Sequence, residues 1–367
     1  MAATALVLES PLRLVASSIE LPRIRSDDGL LRVEACGLCG TDHEQFTGVM
    51  NPGYAFIPGH ETVGVIEAIG EEAAQRWGVT VGDRVAVEVF QSCGTCAQCA
   101  TGHRRLCVRH GIRDMYGFIP VAKPPGLWGG YADIHYLGPD SMLLPVPEGL
   151  DPVTATLFNP LGAGIRWGAT LPGTKKDDIV AVLGPGIRGL SAVAAAKTAG
   201  AGFVMITGSG HRDSDRLALS RRFGSDLAVD VTERDPVAAL KEATGRLADV
   251  VVDVTAKAPA AFAQAMNLAR PGGTVVVAGT RGTPETPGFS PDLVVFKELR
   301  ILGALGVDVS EHEEALRLLA SGAYPFDEIP RSCAGFGEVA GLLTKMAGES
   351  SQEEFEQRPV HGVFVPR

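Results

Sequence analysis

Two hydrophobic patterns divide the chain. Up to about residue 150, short apolar runs cut by Gly and Pro fall at 31–35, 62–69, 84–89 and 131–137, after a first strand in Met1-Ala-Ala-Thr-Ala-Leu-Val-Leu. Runs of that length and spacing predict a β-rich domain with partial barrel character. From about 178 the runs become continuously apolar, at 179–183, 203–207, 250–254, 274–278 and 300–305. Ala- and Leu-rich stretches at 190–199, 216–223 and 259–268 separate them. Strand alternating with helix predicts a parallel sheet with helices on both faces. Beyond 306 come an amphipathic stretch at 311–319 and a last strand at 362–365, read as a return to the first domain. The expected division is 1–150, 151–300 and 301–367. A chain of 367 residues exceeds one compact core, so two domains are the natural expectation.

Composition narrows the partners. The share of apolar residues is 45% and of charged residues 21%, an ordinary globular balance. A net charge of −10 with no Lys/Arg run argues against a nucleic-acid partner, because affinity for the phosphate backbone needs clustered cations. Apolar runs are broken by Gly, Pro or charge well short of a membrane span. The N-terminus has no basic segment before its apolar run, so it reads as a strand and not as a secretory signal. A cytoplasmic protein is expected. In that compartment its seven cysteines point to metal ligands or free thiols, with Cys333, alone in sequence, read as a small buried hydrophobe.

Cys93, Cys96, Cys99 and Cys107 are spaced C-x2-C-x2-C-x7-C. Thiolates at this spacing converge on one tetrahedral ion, and an all-protein ligand set closes the site to chemistry. Four unrelated thiols and an iron–sulfur cluster are the alternatives. Upstream, Cys39 and His60 supply an incomplete zinc set, since catalytic zinc takes three protein ligands and one open position. Further on, Gly184, Gly186 and Gly189 form a GxGxxG turn that follows an apolar strand and opens a helix at Ile187 and Arg188. In that context the motif binds a dinucleotide, with the diphosphate at the helix N-terminus.

Cys39-Gly40-Thr41-Asp42, Gly59-His60-Glu61 with Gly64 and Gly70, the four-cysteine loop and the glycine turn occur in this order along nearly the whole chain. Together they resemble the zinc-containing alcohol dehydrogenases of the medium-chain dehydrogenase/reductase superfamily, sorbitol and threonine dehydrogenases included. The resemblance implies an α/β protein with a GroES-like catalytic domain and a Rossmann domain. It implies two zinc ions, one structural on the four cysteines and one catalytic on Cys39 and His60, with Glu61 a ligand or a close neighbour. Thr41 would hydrogen-bond the substrate oxygen and pass on its proton, and Asp42 would steady the His60 ring.

Two departures stand out. Where relatives carry a Cys, Asp or Glu as third ligand, this chain reads Phe158-Asn159-Pro160-Leu161, and neutral Asn159 ligates zinc poorly. Where a His relays protons two residues after the Asp, it has Glu44, with His43 beside it.

The resemblance also implies a homodimer or homotetramer turning over a small alcohol or carbonyl substrate with NAD(P). No acid ends the second strand of the cofactor half, and Ser209, His211 and Arg212 there suit a 2′-phosphate, which leans to NADP; Asp213 or Asp215 would be the ribose acids if the cofactor were NAD. Thr255, Gly279, Thr280 and Leu305, after later strands, would line the nicotinamide half. Tyr54, Phe56, Phe90, Phe118 and Trp128 are candidates for the wall of an apolar substrate pocket. The rival readings are a zinc-free quinone or enoyl reductase and a cofactor-binding protein without turnover.

Overall fold

The computed structural model describes residues 1–256, 258–280, 282, 285–347 and 359–367, the side chain of His211 excepted. The chain forms two compact units. One comprises Met1–Asn159, Asp308–Gly322 and Phe326–Arg367, and the other Pro160–Val307 and Ala323–Pro325.

In the first unit, Ala2–Ser10 and Arg13–Glu20 make an antiparallel hairpin. The main sheet runs Arg331–Ala334, His361–Phe364, Gly29–Leu38, Glu61–Ile69, Arg84–Val87 and Leu143–Pro145, with Ile134–Leu137 also paired to Gly29–Leu38. Alternation explains why these segments are strands. Leu31, Val33 and Ala35 are buried, whereas Arg32 between them is exposed, as one core-facing side requires. Leu31, Ile57, Ile66, Val85, Tyr116, Tyr131 and Phe364 form the centre of the core beneath. The unit runs to Asn159 because Ala155 and Phe158 pack against Val63, Ala86 and Leu144, so helix-forming residues after 150 complete this core.

The second unit is a six-stranded parallel sheet in the order Leu227–Asp230, Phe203–Gly208, Ile179–Leu183, Ala248–Asp253, Ala269–Val277 and Arg300–Gly303. This is the doubly wound order with its switch point between Ile179–Leu183 and Ala248–Asp253. The central strand is buried along all five residues, which is why it reads as a continuous apolar run. Leu227–Asp230 is a strand that the pattern did not announce. Its four residues are mostly half-buried at the sheet edge, too short for a periodic signal.

Cys333 departs from its expected burial. It lies on the edge strand Arg331–Ala334 and is exposed. Among the described residues, no helix is long and apolar enough to cross a membrane.

Candidate metal centres and cofactor turn

The chain after Cys36 leaves its strand at Leu38 and enters the helix Gly40–Thr47 directly, so Cys39 is the N-cap. Asp42 at the third helical position reaches back, its Oδ2 accepting the Cys39 N–H at 2.8 Å. That carboxylate end of the capping box also fixes Asp42 beneath the imidazole of His60, with Oδ1 3.8 Å from Nδ1. The other ring nitrogen, Nε2, stands 3.3 Å from Cys39 Sγ. The potential ligand atoms of Cys39, Asp42 and His60 all lie within 4.8 Å of one another, and all three side chains are buried. A thiol and an imidazole meeting edge to edge, with a carboxylate behind the ring, is the donor chemistry of a zinc site.

His60 owes its position to the turn before it. Gly59 has φ +91°, and a Cβ there would fall 2.5 Å from the Tyr131 ring. Backbone bonds from Gly130 to Gly59 O and from Tyr131 to Pro58 O clamp the turn. Glu61 follows on the strand, 1% exposed. Its carboxylate rests over Gly37, where a Cβ would lie 2.3 Å from Oε2. Thr41 is half-buried, His43 buried and Glu44 half-buried on the same helix, and Asn159 is buried.

Of the aromatic candidates, Phe118 lies nearest the metal residues, its ring centroid 6.0 Å from that of His60. Tyr54 is exposed and donates to Phe118 O at 3.0 Å. Phe56 and Trp128 belong to the main core, and Phe90 packs with Val89, Met115 and Met142. These three are therefore core side chains, as large aromatics usually are.

Cys93, Cys96, Cys99 and Cys107 converge, their sulfurs within 4.8 Å of one another. The loop is prepared for negative charge. The Thr95 N–H leads the groups that lower Cys93 to about 6, and the amides of Cys99 and Val108 lower Cys96. Burial pushes Cys99 up to about 11, so a cation is needed to hold all four as thiolates. Arg105, inside the loop, pairs with Asp308, the cap of the helix Val309–Ser321.

The glycine turn has the tight geometry its motif demands. Gly184 has φ +101°, and a Cβ on Gly189 would lie 1.8 Å from Gly184 O, so neither position tolerates a side chain. Gly186 is the opposite case, with nothing within 4 Å of an added Cβ. It caps the helix Ile187–Thr198, leaving the first amides of that helix for an anion. The Arg188 guanidinium lies 5.6 Å over the Trp167 ring, a contact without a sequence signal, because Trp167 belongs to a π-helical turn, Arg166–Thr170.

After Phe203–Gly208, Ser209 and Arg212 are exposed, and His211's side chain lies outside the described residues. Asp213 Oδ2 accepts the Ser209 N–H at 2.9 Å, so this acid is engaged in shaping the loop. Asp215 is exposed. Asp253 Oδ1 similarly accepts from Thr255 N and Oγ1, at 3.1 and 2.6 Å, an Asx turn that ends the strand. Gly279 packs on that turn, its absent Cβ 2.0 Å from Thr255 O, whereas Thr280 and Leu305 are exposed.

A doubly wound unit with a glycine turn, a β unit with a thiol–imidazole pair and a four-thiol loop together define a zinc-binding dehydrogenase. Residues 25–148 match the family described as alcohol dehydrogenase GroES-like domain, and 189–321 that described as zinc-binding dehydrogenase. A Mycobacterium tuberculosis protein named "Probable alcohol dehydrogenase adh" is 68% identical over 99% of this chain and 98% of its own length. Erythritol/L-threitol dehydrogenase of Mycolicibacterium smegmatis is 30% identical over 89% of each chain. A chain from Sinorhizobium meliloti 1021, solved bound to NADP, superposes with a TM-score of 0.84 at 28% identity over the whole of both chains. The chain belongs to the zinc-type alcohol dehydrogenases of the medium-chain dehydrogenase/reductase superfamily. It is an NAD(P)-dependent oxidoreductase of that kind, with zinc as its metal and a small-molecule alcohol as its substrate class.

Proposed function

We propose that the reaction is run at Cys39 and His60, and that the two metal sites have separate duties. The observation that carries this reading is the 3.3 Å approach of Cys39 Sγ to His60 Nε2 with Asp42 behind the ring. Cys39 and His60 would hold a zinc whose Lewis acidity would lower the pKa of the alcohol, and the glycine turn would hold a nicotinamide cofactor that would supply hydride-transfer chemistry. The residues do the rest. Cys39 and His60 hold the ion, and Asp42 keeps the Nδ1 proton on the far side of the imidazole so that Nε2 is the ligating atom. Thr41, at the start of the same helix, takes a hydrogen bond from the substrate hydroxyl and passes its proton on, with His43 and Glu44 as routes to solvent.

Glu61, buried beside His60 in sequence, would serve as the third ligand, and Asn159, also buried, would hydrogen-bond a water beside the ion. Cys93, Cys96, Cys99 and Cys107 hold the second, structural zinc and take no part in turnover. Gly184, Gly186 and Gly189, with Ile187 and Arg188, receive the diphosphate, and Thr255, Gly279, Thr280 and Leu305 line the nicotinamide half. The loop after Phe203–Gly208 favours NADP, since Arg212 is exposed there while Asp213 is engaged with Ser209 N.

A cytoplasmic homo-oligomer fits the same picture. Arg300–Gly303 is an open sheet edge with Ile301 exposed, and Val295 and Phe296 beside it in sequence are 71% and 82% exposed.

The test is NAD(P)H formation from a panel of primary and secondary alcohols with each cofactor. Turnover with at least one alcohol, faster with NADP, is expected. No turnover with both zinc sites loaded would leave the binding-protein reading, and a large preference for NAD would reverse the cofactor assignment.

A further inference from the structure

Trp167 and Arg188 belong to the same unit, and each occupies a position that stability alone does not favour. Trp167 is 5% exposed, yet its indole Nε1 has no hydrogen-bond acceptor among the described residues. A leucine or phenylalanine would fill such a position without burying an orphaned donor. Arg188 is half-buried and is the second residue of the helix Ile187–Thr198, whose first turn contains no acid. A cation there opposes the helix dipole, and among the described residues no carboxylate pairs with it. The two side chains meet, the guanidinium carbon 5.6 Å from the centroid of the indole, the aromatic ring whose face attracts a cation most strongly.

The backbone around Trp167 is built for this contact. A Cβ on Gly164 would lie 2.4 Å from the carbonyl carbon of Ser191, and one on Gly168 would lie 2.9 Å from Ala192 O. These two glycines therefore bring their own segment against the backbone of the helix Ile187–Thr198. Between them the chain passes into the π-helical turn Arg166–Thr170, in which the Leu171 N–H bonds Arg166 O at 2.8 Å. Such a turn holds one residue more than an α-helical turn and re-aims the side chains it carries, here the indole. The Thr174 hydroxyl pins the far end, donating to Gly168 O at 2.7 Å. The indole is thus fixed to the helix that the glycine turn opens. Side chains lean toward the N-terminus of their helix, so the long stem of Arg188 tends toward the first amides.

We propose that Trp167 is a positioning residue for the cofactor. Its ring holds the Arg188 guanidinium beside the N-terminus of Ile187–Thr198, so that a diphosphate meets a fixed cation as well as the amides of the glycine turn. A guanidinium held on a ring face keeps its in-plane N–H groups for phosphate oxygens, which it bonds more strongly than a neutral donor does. Holding the side chain in advance also removes the entropy cost of ordering it when the cofactor arrives. Trp167 acts only through Arg188. Because the diphosphate is common to NAD and NADP, the pair sets the affinity for both and not the choice between them. The proposal rests on the reading of the glycine turn as the diphosphate site, and it extends that site to a side chain in another segment that matches no motif.

The experiment compares the full-length wild type with Trp167→Leu, Arg188→Met and the double variant. Calorimetric titration at low and high salt gives the affinity of each for NADPH, for NADH and for ADP-ribose, which carries the diphosphate without the nicotinamide. Arg188→Met is expected to weaken all three ligands by a common factor of about ten or more, and to make their affinity less sensitive to salt. Trp167→Leu is expected to weaken the same three by about threefold or more, with Trp167→Phe recovering part of the loss because it keeps an aromatic face. If Trp167 works through Arg188, the double variant binds no more weakly than Arg188→Met alone. ADP-ribose affinity in Arg188→Met within about twofold of wild type, or additive losses in the double variant, would overturn the proposal. Should Trp167→Leu not fold, Trp167→Phe must bind ADP-ribose more weakly than wild type, and unchanged affinity overturns it. If Gly186→Ala binds ADP-ribose as the wild type does, the diphosphate site itself is misplaced, an outcome distinct from a silent Arg188→Met.

Discussion

Glu88 Oε2 and His312 Nδ1 meet 3.2 Å apart in the core of the first unit, at 1% and 0% side-chain exposure. The ring of His312 also packs edge-on to Phe158, at 5.0 Å between centroids. Burial pushes Glu88 up to about 8 and His312 down to about 3. Burial thus disfavours the charged form of each, so the two share a neutral contact and not an ion pair.

The sign of the pH dependence follows. His312, His135 and His361 are each held near 3 by burial against an ordinary 6.5. Their contribution to stability is complete above pH 6.5 and is lost as pH falls toward 3. Glu88 works in the opposite sense, its contribution complete below 4.5 and lost as pH rises through about 8. Glu88→Gln should therefore flatten the fall in stability between 6.5 and 8 and leave the acid limb unchanged below 4.5. Urea midpoints across that range check it, and the same alkaline slope in the variant would contradict it.

Gly186 and Gly189 should separate cofactor binding from folding. An alanine at 186 meets nothing in the protein, so Gly186→Ala should fold and bind zinc normally while losing at least about tenfold in cofactor affinity, because the methyl occupies space meant for the diphosphate. An alanine at 189 must push against Gly184 O, at an expected cost of about 1–3 kcal/mol or more in stability. Calorimetric titration with each cofactor and thermal unfolding distinguish the two, and equal behaviour would refute the assigned roles.

Loss of one thiol from the four-cysteine loop should cost metal and stability together. Cys99→Ser is expected to release one zinc per chain and lower the melting temperature, with Arg105 losing its fixed approach to Asp308. Cofactor affinity measured by fluorescence should be unaltered. A fully zinc-loaded Cys99→Ser would argue against a zinc held by this loop.

Glu61 carries a narrower prediction. With its carboxylate over Gly37, Glu61→Ala should lower the zinc content or affinity at Cys39/His60 without unfolding the strand Glu61–Ile69. Full retention at wild-type affinity, measured by metal analysis after dialysis against chelator, would remove Glu61 from the ligand set.

Much of this was legible in the chain because the signals were periodic or spaced. The strand Ile179–Leu183 coincides with its apolar run since both faces of a central parallel strand are buried. The four cysteines and the glycine turn were legible because metal and phosphate geometry fix the spacing of their residues. What escaped lies in contacts between distant segments. Arg188 meets Trp167, more than twenty residues away, only because of a π-helical turn. Cys333 was misread because its neighbours do not announce that Arg331–Ala334 is an edge strand. Phe56, Phe90 and Trp128 suited a pocket or a core equally well by composition, and packing assigned them to cores.

The central claim, that Cys39 and His60 hold the reaction's metal, is tested most directly by the zinc content of His60→Ala beside wild type. Two zinc ions per chain in the wild type and one in folded His60→Ala, the remaining ion being lost only when the four-cysteine loop is also broken, is the result predicted. An undiminished zinc content in His60→Ala would contradict it.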